Sequence, residues 1–314
     1  MLPWVEFAVR GDMSVFHRND LSGNGINSTE VALGTADKPM VFLFPGVSGD
    51  EKELALLAAG CGPLLRSVPV RLPDWTTIDY ALINLDGLVK ICIAQIEVHA
   101  CGAPVLLAGY SFGGHIAMAV AAAMEATGRR IGCLALLDTT AVPPTESMPV
   151  SLTRPGRRLV TAMRNGAIGA EVGRIVGAIL IRIRSKRLSR FVARLPLAAL
   201  SPGLARPLGD SITMSFNFPI LEELLRRMTE PKEAFRFPAV LFRCTDQTAG
   251  FGGTDQGVGA SDDLGWGVHL ANLQIVAVPG NHVTWTNQGN LPTLCASFVA
   301  VMMERHMGMR GSAG

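Results

Sequence analysis

Apolar runs and helically spaced segments alternate along the first half of the chain. "PMVFLFPG" (39–46) is an unbroken apolar run ended by Pro-Gly, the pattern of a strand buried on both faces and feeding a loop. "TIDYALINLDGLVKICIAQIEVHA" (77–100) repeats its apolar positions with helical spacing. "PVLLAGYS" is a second buried strand, "FGGHIAMAVAAAMEATG" a helix closed by Gly128, and "IGCLALLD" a third strand. Strands alternating with helices in this order predict an α/β fold, a mostly parallel sheet covered on both faces.

The pattern then changes. Residues 144–232 carry no strand signal but several helical segments punctuated by "RPG", "LPLAALSPG" and "RPLGD", a candidate helical lid insertion. The sheet resumes with "FPAVLFRCTD" (237–246) and "LQIVAVPG" (273–280), and "NLPTLCASFVAVMMERHM" predicts a closing helix. The expected organisation is therefore a core built from 38–143 and 233–308 around the 144–232 insertion. Residues 1–37, with the turn-rich "NDLSGNGINST", are expected as an extension or linker, 249–265 as an irregular loop and 309–314 as a disordered tail.

Composition narrows the function classes. The 314 residues are ample for one α/β domain with an insertion. With 28 basic against 26 acidic residues the formal charge is +2, which argues against nucleic acid as a partner. Six cysteines (Cys61, Cys92, Cys101, Cys133, Cys244, Cys295) are scattered without a CxxC pair, and no histidine cluster has metal-ligand spacing. Buried free thiols, a reducing cytoplasm and no bound metal are the expectation. Glu6 and Arg10 interrupt the N-terminus before any signal-length apolar stretch, and Glu171, Arg174 and Arg182 interrupt the most apolar segment (166–183), so neither secretion nor membrane insertion is indicated.

Chemistry concentrates in "GYSFGGHIA" (109–117). Ser111 directly follows a strand and directly precedes a helix, the setting of a nucleophile elbow. Gly109 and Gly113 remove β-carbons from a tight turn, and the helix N-terminus favours developing negative charge. A serine hydroxyl needs a base. His282 in "VPGNHVTW" follows the last strand on the elbow's sheet edge, whereas His115 sits on the elbow helix, where packing is its expected role. His17, His99 and His306 lie away from strand ends, and His269 precedes the last strand. Two aspartates end parallel strands and qualify to orient the imidazole: Asp138 after "LALL" and Asp246 after "AVLFRC". Position alone leaves both open. The oxyanion donors expected are the backbone N–H of Phe112 and, from the loop "FPGVSGD", that of Val47.

Taken in order, "FPGVSGD", "LLAGYSFGGHIA", "LALLDTT", "LFRCTD", "DDLGW" and "VPGNH" resemble the thioesterase domains that end nonribosomal peptide and polyketide synthases, across residues 38–304. The resemblance implies an α/β-hydrolase fold with a helical lid, and a catalytic set of Ser111, Asp138 and His282, since in that family the acid commonly follows the strand after the elbow helix. Asp246 matches the position used by discrete editing thioesterases and stays as the alternative acid. The implied substrate is an acyl or peptidyl chain presented on the 4'-phosphopantetheine of a carrier protein. Ser111 would take the chain and release it by hydrolysis or macrocyclisation, with no permanently bound cofactor. Tyr110 stands where that family often has His, and Thr139 and Thr140 follow the acid. No carrier-protein serine motif is found, so an excised terminal domain and a free-standing enzyme are both open.

Between Arg154 and Arg194 ten arginines and one lysine face a single acid, Glu171, with Ile175, Val176, Ile179, Leu180 and Ile183 interleaved at helical spacing. Such a basic amphipathic segment reads either as a solvated face or as a dock for an acidic carrier protein and its phosphate, with Arg182, Arg184 and Arg187 as docking candidates. The other readings are an editing thioesterase, a carboxylesterase or lipase acting on free esters, and a non-catalytic binding protein of the same fold.

Overall fold

The computed structural model describes residues 38–47, 49, 52–73, 83–141, 202–228, 233–246 and 261–311. The chain divides into Met1–Lys38 and Pro39–Gly314, and the fold below belongs to the second unit. Strands β1 (Met40–Phe44), β2 (Arg66–Pro69), β3 (Val105–Tyr110), β4 (Ile131–Leu137), β5 (Ala239–Cys244) and β6 (Leu273–Val278) form a six-stranded sheet in the order β2-β1-β3-β4-β5-β6. Every pairing is parallel. The helices are α1 (Lys52–Cys61), α2 (Leu85–Ala100), α3 (Phe112–Ala126), α4 (Pro202–Met228) and α5 (Leu291–Gly311).

Alternation along the strands builds two cores. Phe42, Phe44, Val105 and Leu107 point to the face covered by Leu88 and Ile96 of α2, Ile116 and Val120 of α3, and Ile220 and Leu224 of α4. Val41, Leu43, Leu106 and Ala108 point to the other, against Leu54 and Leu57 of α1 and Leu294, Phe298 and Met302 of α5. Every residue of β3 and β4 is buried, which is why both read as unbroken apolar runs. Each fully buried Phe or Leu contributes roughly 1.5–3 kcal/mol of transfer free energy.

The connection from β1 through α1 to β2 runs one way along the sheet, and the strands from β3 onward run the other. The carboxyl ends of β1 and β3 therefore flank a topological switch point, where a crevice opens above an open parallel sheet.

Several expectations need adjusting. Helix α2 starts at Leu85, because Asn84 takes an extended conformation and its side-chain oxygen accepts from the Gly87 N–H at 2.9 Å, an N-cap. Strand β2, sequence RSVP, was not expected: it is an edge strand with no position fully buried, so it carries no apolar run. Helix α1 was not expected either. Helix α4 runs unbroken through Pro207 and Pro219, although the "RPLGD" stretch reads as a helix breaker. Across Pro219 the continuity follows a buried stripe, Ile212, Phe216, Ile220 and Leu224, at four-residue spacing. Helix α5 continues to Gly311, through residues 309–311 expected as tail. Residues 144–201 and 229–232 of the expected insertion, with Arg182, Arg184 and Arg187, lie outside the described residues, as do 247–260.

Candidate active site

The elbow follows from local sterics. Ser111 adopts φ 53° and ψ −121°, a strained conformation for a non-glycine residue, between the end of β3 and the first turn of α3. Its N–H donates to Leu137 O at 3.3 Å and its carbonyl accepts from the Gly114 N–H at 2.9 Å. The glycines are required by close approach. A β-carbon at Gly109 would overlap the Gly113 backbone, and one at Gly113 would overlap the carbonyls of Phe44 and Pro45 at the end of β1. The helix is thereby seated against the loop after β1, which brings Phe112 and Val47, both buried, to the same end of the sheet.

Asp138 follows β4 directly, at a left-handed φ of 45° that an aspartate tolerates. Its backbone N–H donates to Phe242 O at 2.9 Å, so the turn is tied to β5. Asp138 Oδ1 accepts from the Cys244 N–H at 3.0 Å, and Oδ2 accepts from His282 Nδ1 at 2.9 Å. The two side chains are only 11% and 9% exposed, so their interaction is little screened by water. Both carboxylate oxygens are thus engaged, and the imidazole is held in the tautomer that leaves Nε2 as acceptor.

Asp246, the other candidate acid, accepts at Oδ2 from Asn281 Nδ2 at 3.2 Å, and its backbone N–H donates to Gly280 O at 2.9 Å. Asn281 in turn accepts at Oδ1 from the N–H groups of Val283 and Thr284, both at 3.0 Å. Asp246 therefore braces the turn that carries His282, while Asp138 contacts the imidazole itself.

Three further residues shape this end of the sheet. The Tyr110 hydroxyl donates to His282 O at 2.5 Å, and the Tyr110 ring stacks on the imidazole with centroids 4.9 Å apart. Trp266, fully buried, donates from Nε1 to Thr139 O at 2.7 Å and so holds the chain just past Asp138. Asn217 on α4 donates from Nδ2 to Val47 O at 2.7 Å. In the sequence Tyr110 stood out only as a departure from a resemblance, Trp266 only as part of "DDLGW", and Asn217 not at all.

His115 is packed away from this chemistry. Its Nε2 lies 2.8 Å from Thr140 O and its Nδ1 3.2 Å from Ser111 O, while burial lowers its pKa to about 4. A neutral ring has one N–H, and the shorter contact assigns it to Nε2. Burial likewise raises the Cys92 and Cys133 thiols to about 12, and for Cys244 burial and the neighbouring Asp138 carboxylate both push the thiol up. All six cysteines are free, and only Cys101 is exposed. Among the described residues no group of three His, Cys, Asp or Glu side chains is placed to hold a metal, and no helix is long and apolar enough to cross a membrane.

A strand-elbow-helix serine, a histidine after the last strand and an all-parallel sheet define an α/β-hydrolase fold. Residues 39–173 match the family model for a thioesterase domain. Over 111 residues, 35% of this chain, the sequence is 29% identical to enterobactin synthase component F of Escherichia coli O157:H7, and the match covers 9% of that protein's length. Among solved structures, the NocB thioesterase domain in covalent complex with a fluorophosphonate nocardicin G analog is similar at 17% identity and a TM-score of 0.54, over 84% of this chain and 94% of that one. Holo-AB3403, a four-domain nonribosomal peptide synthetase bound to AMP and glycine, is similar at 18% identity and a TM-score of 0.56, over 85% of this chain and 20% of that one. Residues 39–173 are thus similar to a thioesterase domain, and the fold is the one found in the NocB thioesterase domain.

Proposed function

We propose that this protein takes an acyl or peptidyl chain from the phosphopantetheine thioester of a carrier protein onto Ser111 and releases it by hydrolysis or macrocyclisation in natural-product assembly. The observation that carries the reading is the His282 Nδ1 to Asp138 Oδ2 bond of 2.9 Å, made at the sheet end where Ser111 occupies a strained elbow. His282 Nε2 removes the Ser111 proton as Oγ attacks the thioester carbonyl. The resulting oxyanion accepts from the N–H groups of Phe112 and Val47. Collapse breaks the carbon–sulfur bond, the thiol leaves with the proton held by His282, and an acyl-serine ester remains. Water, or a hydroxyl or amine of the chain itself, then gives its proton to His282 and attacks the ester, returning Ser111 to its starting state. No permanently bound cofactor enters these steps. The free thiols suit a reducing cytoplasm.

Engagement of Asp138 by the imidazole supports the terminal-domain type over the editing type, in which the acid follows the next strand and would be Asp246. Intact-mass spectrometry of wild type and Ser111→Ala with a panel of acyl and peptidyl thioesters tests the proposal. Wild type alone should gain the acyl mass, and the released product's mass, with or without one water, distinguishes hydrolysis from ring closure. Acylation of the variant, or of neither protein, would sink the assignment.

A further inference from the structure

Asn217 is an amide side chain with no exposed surface, in the middle of a helix where Ile212, Phe216, Ile220 and Leu224 are also buried. A buried amide is retained at a cost unless its hydrogen bonds are made. Its Nδ2 donates to the carbonyl of Val47, and since a carbonyl only accepts, the amide orientation is determined by the contact. The same part of α4 runs close to this loop again: a β-carbon built on Gly49 would lie 3.6 Å from Thr213 Cγ2.

The loop itself is a tight turn in which the Gly49 N–H donates to Gly46 O at 3.1 Å. The Val47 N–H belongs to the peptide plane before Val47, whose carbonyl, Gly46 O, that bond holds, whereas the plane after Val47 can flip between two turn types. The carbonyl of that plane is the atom Asn217 holds. Gly113, seated against Phe44 and Pro45, fixes the loop's entry from β1.

We infer that Asn217 is a positioning residue for the oxyanion loop: by clamping Val47 O it fixes the peptide plane after Val47, as the Gly49–Gly46 bond fixes the plane before it, and so keeps the Val47 N–H aimed at the oxygen of the carbonyl attacked by Ser111. Helix α4 then contributes to transition-state stabilisation without touching substrate. The inference rests on the proposed catalytic role of Ser111 and Val47.

The test is steady-state kinetics on a small acyl thioester for Asn217→Leu, which is similar in size and lacks the donor, and Asn217→Asp, which offers only acceptors. Ile220→Val, a slight trimming of the same helix, serves as the control, and melting temperatures are recorded for all. We expect kcat to fall about 10- to 100-fold in both Asn217 variants, somewhat less than loss of a whole oxyanion donor, with KM within about twofold. Ile220→Val should keep its kcat. Should Asn217→Leu fail to fold, Asn217→Ser, shorter and adding no bulk, is read by the same criterion. A kcat equal to that of Ile220→Val, or a loss carried by KM, overturns the inference. Ser111→Ala separates the two layers: if it is inactive while Asn217→Leu turns over normally, only the role of Asn217 fails, and if it remains active the site assignment fails first.

Discussion

Tyr110, the residue immediately before Ser111, holds the backbone of His282 through its hydroxyl at 2.5 Å and its imidazole through ring stacking at 4.9 Å and 28°. The elbow and the loop carrying His282, 172 residues apart in sequence, are thus coupled by one side chain. Tyr110→Phe keeps the stacking but removes the hydroxyl donor to the His282 carbonyl, and should cost about 1–2 kcal/mol of stability in urea unfolding. Tyr110→Leu removes both contacts and the packing against Trp285, and should lose more stability and more kcat than Tyr110→Phe. Equal behaviour of the two variants would show that stacking contributes nothing.

Asp138→Asn separates the two candidate acids. The Cys244 N–H must still be accepted, so the asparagine oxygen faces Cys244 and its NH2 faces His282 Nδ1. That pairing forces the proton onto Nε2, where the base function is needed. A loss of about 10³- to 10⁴-fold in kcat is expected, with folding retained. Asp246→Asn, which perturbs only the brace on Asn281, should lose less than about tenfold. The reverse order of losses would transfer the role to Asp246.

His115 makes stability depend on pH. Its folded pKa is about 4, below the ordinary 6.5, so the unfolded chain binds more protons between those values. Its contribution is therefore fully present above 6.5 and is lost as pH falls from 6.5 to 4, a change on the order of 3 kcal/mol. Urea unfolding at pH 7, 5.5 and 4 should show a steeper decline for wild type than for His115→Gln. Parallel declines would show that other groups carry the acid sensitivity.

Carrier docking predicts a split between substrates. Reversing Arg182, Arg184 and Arg187 to Glu should raise KM about tenfold or more for carrier-bound substrate and leave a small free thioester unchanged. An equal effect on both substrates would rule out a docking surface there.

The legibility of this fold varied with burial. Five of the six strands announce themselves as apolar runs because a parallel strand inside a two-sided sheet meets side chains on both faces. β6 does so despite its partly exposed edge position. β2 carries no such signal because it needs no apolar surface where it lies. The breaker reading of α4 failed because prolines weigh heavily in local propensity, while a buried stripe of side chains sustains the helix across Pro219.

What the linear order determined by itself was the parallel architecture, the elbow serine and the histidine after the last strand, since each depends on short-range patterning or on the position of a residue relative to its own strand. The choice between Asp138 and Asp246 was open in sequence because both end parallel strands. Only the tertiary structure brings Asp138 Oδ2 to 2.9 Å from His282 and turns Asp246 to Asn281. The same holds for Asn217, one of several polar residues on a long helix, whose contact with Val47 spans 170 residues. Hydrogen bonds between distant segments leave no periodicity in the chain, because their geometry exists only once both segments have packed on the same sheet.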